Sequence, residues 1–494
     1  MKWLRNTVAQ GLCLMLLFSA FVTMSLADAT DTGLLFSDCR IRHVDTTARC
    51  ATLSVPEDHA APNGKQINIH VAVLPALARK AEADPVYFFA GGPGQAASDL
   101  GRLTAALGNL RKRRDIVLVD QRGTGKSRTL ACDTSSTRSD TDPLEQIFVA
   151  SQESVQRDWA RCLATLKGNA ALHRTDDYID DLERVRKALG HVRINVWGGS
   201  YGSRVALRYM KRYPASIRTA TLDGVAPTSL RLPDDALVAS ELRLRALLDA
   251  CQQSAACGSA YPGLGKGFDK LLDDLRSKPQ RVMLTHPGNG KIVTGVMTDQ
   301  ALISLIWPML YAAETSRLVP TLVHQAIQGN FAPLAATLSA NSITGEDIAV
   351  AQRFAVMCAE DMLGRSPATS AGAQPRFRAL MQMFYGFCNQ FPKGRVEADF
   401  FEPTVSDIPT LLLSGSLDPV TPASAATLVA KTLSRQKHIM VQGMGHIVSP
   451  QSCIRRVINR FIEAGSLEAA IDPCEATLAL PVPLFYVTPL VARP

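Results

Sequence analysis

The chain of 494 residues has no Cys-x-x-Cys pair and no His-Glu-x-x-His motif, so the usual linear signatures of a zinc site are missing. Metallohydrolysis is set aside on that ground. No basic block exceeds Arg111-Lys112-Arg113-Arg114, and that block stands just before an apolar strand. It reads as a solvated turn, not a nucleic-acid patch. There are no internal repeats and no long low-complexity tracts. The N-terminal apolar run, 11–24, has 14 residues, short of the roughly 20 a membrane-spanning helix needs. A nucleotide loop is missing too. Gly125-Lys126-Ser127 follows a strand, but a phosphate loop needs glycine five positions before Gly125, and Asp120 stands there. No helical run follows in 128–132.

Among the features present, residues 1–27 have the layout of a secretory signal. Lys2 and Arg5 form a basic start, 11–24 the apolar stretch, and Ser25-Leu26-Ala27 a small-residue cleavage site. Cleavage there would leave no stable membrane anchor and a formal charge of +6 in place of +8. Ten of the eleven cysteines remain after it: Cys39, Cys50, Cys132, Cys162, Cys251, Cys257, Cys358, Cys388, Cys453 and Cys474. An even count behind an export signal points to disulfides in a secreted or periplasmic protein. Nearest-neighbour couples are the expected pairing, although sequence alone does not fix connectivity.

Short apolar runs alternate with helical patterns, which implies an α/β fold with a mostly parallel sheet flanked by helices. Strands are expected at 67–74, 86–90, 116–120, 194–197, 219–223, 410–414 and 438–441. Glycine-rich turns follow nearly all of them, so five loops gather at one sheet edge, where open α/β sheets bind ligands. From about 228 to 400 the rhythm becomes helical, with segments expected at 234–253, 298–313 and 348–362. A core in two parts (28–227 and 401–494) with a helical cap at 228–400 is the expected organisation.

Residues 198–202 read Gly-Gly-Ser-Tyr-Gly, a Gly-x-Ser-x-Gly between an apolar strand and a helix. That context marks a nucleophile elbow with Ser200 at its tip. A serine hydroxyl needs a base, and the base needs an acid to orient it. Downstream, Asp418 follows the 410–414 strand and His446 ends the Gly443-Met444-Gly445 turn. His286 and His324 fall in the cap and His438 opens a strand, which leaves His446 as the base. Asp223 is a rival acid, disfavoured because its Asp-Gly setting is a turn signal. Two donors for the developing oxyanion are expected: the Tyr201 N–H, and one from the loop after 86–90. Pro93 has no N–H, so that donor is Gly91 or Gly92, and Gly92 is chosen.

These motifs together resemble the prolyl iminopeptidase and tripeptidyl aminopeptidase family of serine peptidases on the α/β-hydrolase fold. The resemblance runs from about Cys39 onward and rests on Val55-Pro56-Glu57-Asp58, Gly91-Gly92-Pro93-Gly94, residues 120–127 and 199–203. The segment 397–481 is similar to the tripeptidyl aminopeptidase-like C-terminal region. Ala90 departs from the histidine that many relatives carry there. The resemblance implies a peptide substrate with a free N-terminus, acyl-enzyme catalysis and no cofactor. Its ammonium would need a carboxylate partner, for which Glu360 and Asp361 are the candidates. A secreted carboxylesterase with the same triad is the alternative function. A binding protein on a retired hydrolase scaffold is a third, and retention of all three triad residues argues against it.

Overall fold

The computed structural model describes residues 34–133, 152–286, 289–342, 348–363 and 375–470. Eleven strands occur among them. Nine form one sheet: β1 (Ser37–Cys39), β2 (Ala48–Pro56), β3 (Gln66–Leu74), β4 (Val86–Phe89), β5 (Ile116–Val119), β6 (Ile194–Gly199), β7 (Ile217–Asp223), β10 (Thr410–Gly415) and β11 (Gln436–Val441). Their spatial order is β1-β2-β3-β5-β4-β6-β7-β10-β11. The six strands from β5 to β11 in that order run parallel, and β1 to β3 form an antiparallel edge. All seven strands expected from the sequence are present. β1 and β2 were not anticipated.

Alternation along each central strand explains the layers. In β4, Tyr87 and Phe89 face one buried cluster with Val196, Val205 and Leu412. Val86 and Phe88 face the other, with Trp197, Ile454 and Phe461. Strands covered on both sides read as continuous apolar runs, and both faces here carry helices. After β4 the chain steps to β5 on one side, then crosses to β6 on the other. A crevice opens at such a switch point, beyond the carboxyl ends of the strands.

Between β7 and β10 the chain is mainly helical and has its own apolar core, including Leu247, Phe268, Leu302 and Val323. Helix Asp234–Gln253 matches the expected segment. The expected 298–313 helix is divided, with Asp299–Ile306 followed by a tighter turn at Trp307–Leu310. The 348–362 segment is helical over Val350–Val356 and widens into a π-turn at Met357–Asp361. One antiparallel hairpin, β8 (Gln280–Thr285) and β9 (Ile292–Met297), interrupts the helices. Only Leu284, Val293 and Met297 of it are buried, while Met283, Ile292 and Val296 are exposed. So short a half-buried pair leaves little periodic signal.

Disulfides join Cys39–Cys50, Cys132–Cys162, Cys251–Cys257 and Cys358–Cys388. Cys453 is also disulfide-bonded. Cys474 and the 1–27 segment lie outside the described residues. No helix among the described residues is long and apolar enough to cross a membrane.

Candidate active site

β6 ends at Gly199 and the Tyr201–Arg212 helix begins two residues later. Ser200 bridges them with φ 55° and ψ −125°, backbone angles a non-glycine residue holds only when its surroundings enforce them. The enforcement is visible on both sides. Ser200 N–H donates to Asp223 O at 2.9 Å. A Cβ on Gly202 would fall 2.1 Å from Phe89 O, and one on Gly198 would fall 2.4 Å from Gly202 O. Only glycine fits at those two positions, so the elbow packs tightly and aims Ser200 beyond the sheet edge.

Asp418 and His446 reach the same edge from the ends of β10 and β11. His446 Nδ1 lies 2.8 Å from Asp418 Oδ2. The other carboxylate oxygen accepts the Val420 and Thr421 N–H groups, each at 2.9 Å. Thr421 Oγ1 donates to Asp418 Oδ2 at 2.8 Å. Burial would raise the Asp418 carboxyl, but the facing His446 and these donors outweigh it and hold the group below its ordinary value. Tyr311, from the helical insertion, fixes the histidine loop. Its carbonyl accepts His446 N–H at 2.7 Å, and the two rings meet edge to face at 5.6 Å.

Asp223 has a different set of contacts. Its carboxylate accepts the Val448 and Ser449 amides and the Ser449 hydroxyl, the last at 2.6 Å. It therefore anchors the backbone just after His446, while Asp418 faces the imidazole.

The loop after β4 comes within van der Waals range of the elbow: a Cβ on Gly91 would lie 3.2 Å from Ser200 Cβ. Gly91 N–H is already committed to Gln95 Oε1 at 3.0 Å, which turns the choice between the two glycine donors toward Gly92. Gly92 itself has φ 105°. Tyr201 places its N–H in the first turn of the helix, where backbone donors have no intrahelical acceptor. Its side chain points into the core, where Thr175 and Gln121 meet the hydroxyl at 2.8 and 3.1 Å.

Ser200, His446, Gly91 and Gly92 line one cleft of about 520 Å³. Arg42, Arg102, Arg353 and Asp99 supply its charged walls. Glu360 and Asp361 do not line it, contrary to the expectation that they meet a substrate ammonium there. Both are buried. Asp361 pairs with Arg204 at 3.0 Å, and Glu360 accepts the Thr175 amide at 2.6 Å and its hydroxyl at 2.8 Å. Burial pushes the Glu360 carboxyl up to about 8 against the pull of Arg204. The pair secures the insertion to the elbow helix. Asp120 likewise has a structural place, accepting the Ser98 and Lys126 amides at 2.8 and 3.1 Å.

Gln95, Asp99, Tyr311, Arg353 and Thr421 were not singled out from the sequence. Thr421 sits three residues after Asp418, as a turn-capping hydroxyl would, and was within reach. The others meet the site only through the fold.

The sequence profile of the alpha/beta hydrolase fold matches residues 84–451. The serine protease Hip1 of Mycobacterium tuberculosis (strain H37Rv) is 24% identical over 463 residues, covering 86% of this chain and 87% of its own. The tripeptidyl aminopeptidase of Streptomyces lividans is 26% identical over 218 residues, 42% of this chain and 41% of its own. Carboxylesterase B of M. tuberculosis (strain CDC 1551) is 27% identical over 271 residues, 49% of this chain and 50% of its own.

Proposed function

The chain is a serine hydrolase of the α/β-hydrolase fold family, and from that premise we propose that it is an exopeptidase releasing residues or short peptides from a free N-terminus. The observation that carries the proposal is the 2.8 Å contact between His446 Nδ1 and Asp418 Oδ2 in the cleft that Ser200 and the Gly91-Gly92 loop also line. His446 takes the Ser200 proton as the hydroxyl attacks the substrate carbonyl. Asp418 holds the imidazole in the tautomer with Nδ1–H and stabilises the imidazolium. The amides of Tyr201 and Gly92 receive the oxyanion, each donor worth about 10²–10³ in rate. His446 then protonates the leaving amine, and water hydrolyses the acyl-enzyme by the same steps in reverse.

A substrate ammonium needs a carboxylate. Asp99 is the one acidic residue among the described lining residues of the cleft, and it takes the place first given to Glu360 and Asp361. The disulfides support reading 1–27 as an export signal and the protein as secreted or periplasmic.

A panel of aminoacyl, prolyl and tripeptidyl chromogenic amides, each with a free and a blocked N-terminus, tests the proposal. Turnover of free but not blocked members is expected. Equal turnover of both removes the exopeptidase assignment. Carboxylesterase action is the second reading, favoured by the likeness to Carboxylesterase B, and simple p-nitrophenyl esters added to the panel separate it.

A further inference from the structure

Four of the five buried arginines among the described residues are matched to carboxylates. Arg122 meets Asp181 at 2.7 Å, Arg208 meets Asp176 at 2.9 Å, Arg204 meets Asp361 at 3.0 Å and Arg114 meets Asp84 at 3.1 Å. Arg353 breaks that pattern inside the catalytic cleft. It lies on the Val350–Val356 helix and lines the cleft beside Ser200, Tyr311 and His446. Its one hydrogen bond among the described residues is from Nε to Pro93 O, at 3.4 Å, and no carboxylate of those residues pairs with it. Among the described residues Arg111, Arg243, Arg317 and Arg455 are also without a carboxylate, but none of them lines this cleft.

The position of Arg353 is fixed by the oxyanion loop. Ala349 N–H donates to Gly94 O at 2.9 Å, and a Cβ on Gly94 would lie 3.4 Å from Arg353 Cβ. The guanidinium is thus carried on a segment docked against the loop that supplies Gly92. Arg42 and Arg102 stand in the same cleft, so cationic side chains outnumber acidic ones on its described walls. A guanidinium presents paired donors that match a carboxylate in two-point geometry, and such a pair strengthens where water is excluded.

We propose that Arg353 selects the substrate by binding a carboxylate carried by it, so that the enzyme prefers peptides presenting a carboxylate to the cleft over their neutral counterparts. The inference rests on the exopeptidase reading above and adds the substrate class to it. Burial lowers the Arg353 guanidinium from its ordinary range, with only the Tyr311 hydroxyl opposing. An entering carboxylate would compensate that charge. The carboxylate could belong to an aspartate or glutamate side chain or to the C-terminus of a short peptide.

The test compares kcat/KM for tripeptidyl chromogenic amides with Glu or Gln at each position in turn, and for tetrapeptides with free or amidated C-termini. The wild type should favour the carboxylate member of one pair by more than about tenfold. Arg353→Gln should bring that ratio near one, Arg353→Lys should restore part of it, and Arg353→Glu should favour Lys at the same position. The pair that responds identifies the source of the carboxylate. A ratio unchanged in Arg353→Gln, or a wild type indifferent to every pair, overturns the inference. The same acyl groups offered as p-nitrophenyl esters read Arg353 even where no amide is cleaved. Loss of the peptidase reading is therefore distinguishable from loss of this one.

Discussion

The Thr421 hydroxyl donates to Asp418 Oδ2 over 2.8 Å, the same oxygen that His446 Nδ1 faces at 2.8 Å. A hydroxyl has one proton, so its 3.2 Å contact with Nδ1 leaves that nitrogen to donate to the carboxylate. Thr421→Val should lower kcat about three- to tenfold, the worth of one hydrogen bond. Asp418→Asn should lower it by about 10⁴, as loss of the correct tautomer does in the serine protease triad. Asp223→Asn should instead lower the melting temperature while labelling of Ser200 persists. Steady-state kinetics and calorimetry on the three variants separate these roles.

The oxyanion loop makes a second prediction. Gly92 has φ 105°, and a Cβ there would sit 2.8 Å from Gly94 N. Gly92→Ala should therefore cost about 10² or more in kcat and also lower the melting temperature, because the new Cβ strains the loop. Gln95→Ala, which releases the Gly91 amide, should fall between that variant and the wild type.

Glu360 links stability to pH. Its carboxyl is raised in the fold from 4.5 to about 8, so the folded chain keeps a proton that the unfolded chain loses. Its contribution is full below about 4.5 and is lost as pH rises through 8. Melting temperature should decline across that window, and Glu360→Gln should flatten this part of the decline. A wild-type curve with the same slope as the variant's would contradict the assignment.

Asp99 lines the cleft and is the carboxylate proposed to meet a substrate ammonium. Asp99→Asn should raise KM for free-amine substrates about tenfold, with kcat and ester KM nearly unchanged. Parallel kinetics on amide and ester substrates check it.

The residues of the proposed triad were legible because their backbone demands are severe. Ser200 needs glycines at 198 and 202, and Asp418 and His446 each end a strand and its turn. The parallel core was legible because Val86–Phe89, Ile116–Val119 and Leu411–Leu413 are continuous apolar runs at the centres of β4, β5 and β10. The cleft walls were not, since Asp99, Tyr311 and Arg353 meet only through topology. Glu360 and Asp361 were misplaced for the same reason. Two acids on a helix look solvent-facing until Arg204, more than 150 positions earlier in the chain, is brought against them. The short half-buried strands β8 and β9 were hidden in a helical background.

Mass spectrometry of the intact protein after exposure to a fluorophosphonate tests the proposed nucleophile most directly. The account predicts a single adduct on the peptide containing Ser200, loss of all turnover with it, and neither adduct nor turnover in Ser200→Ala. Turnover surviving in Ser200→Ala, or an adduct on another residue with activity lost, would contradict it.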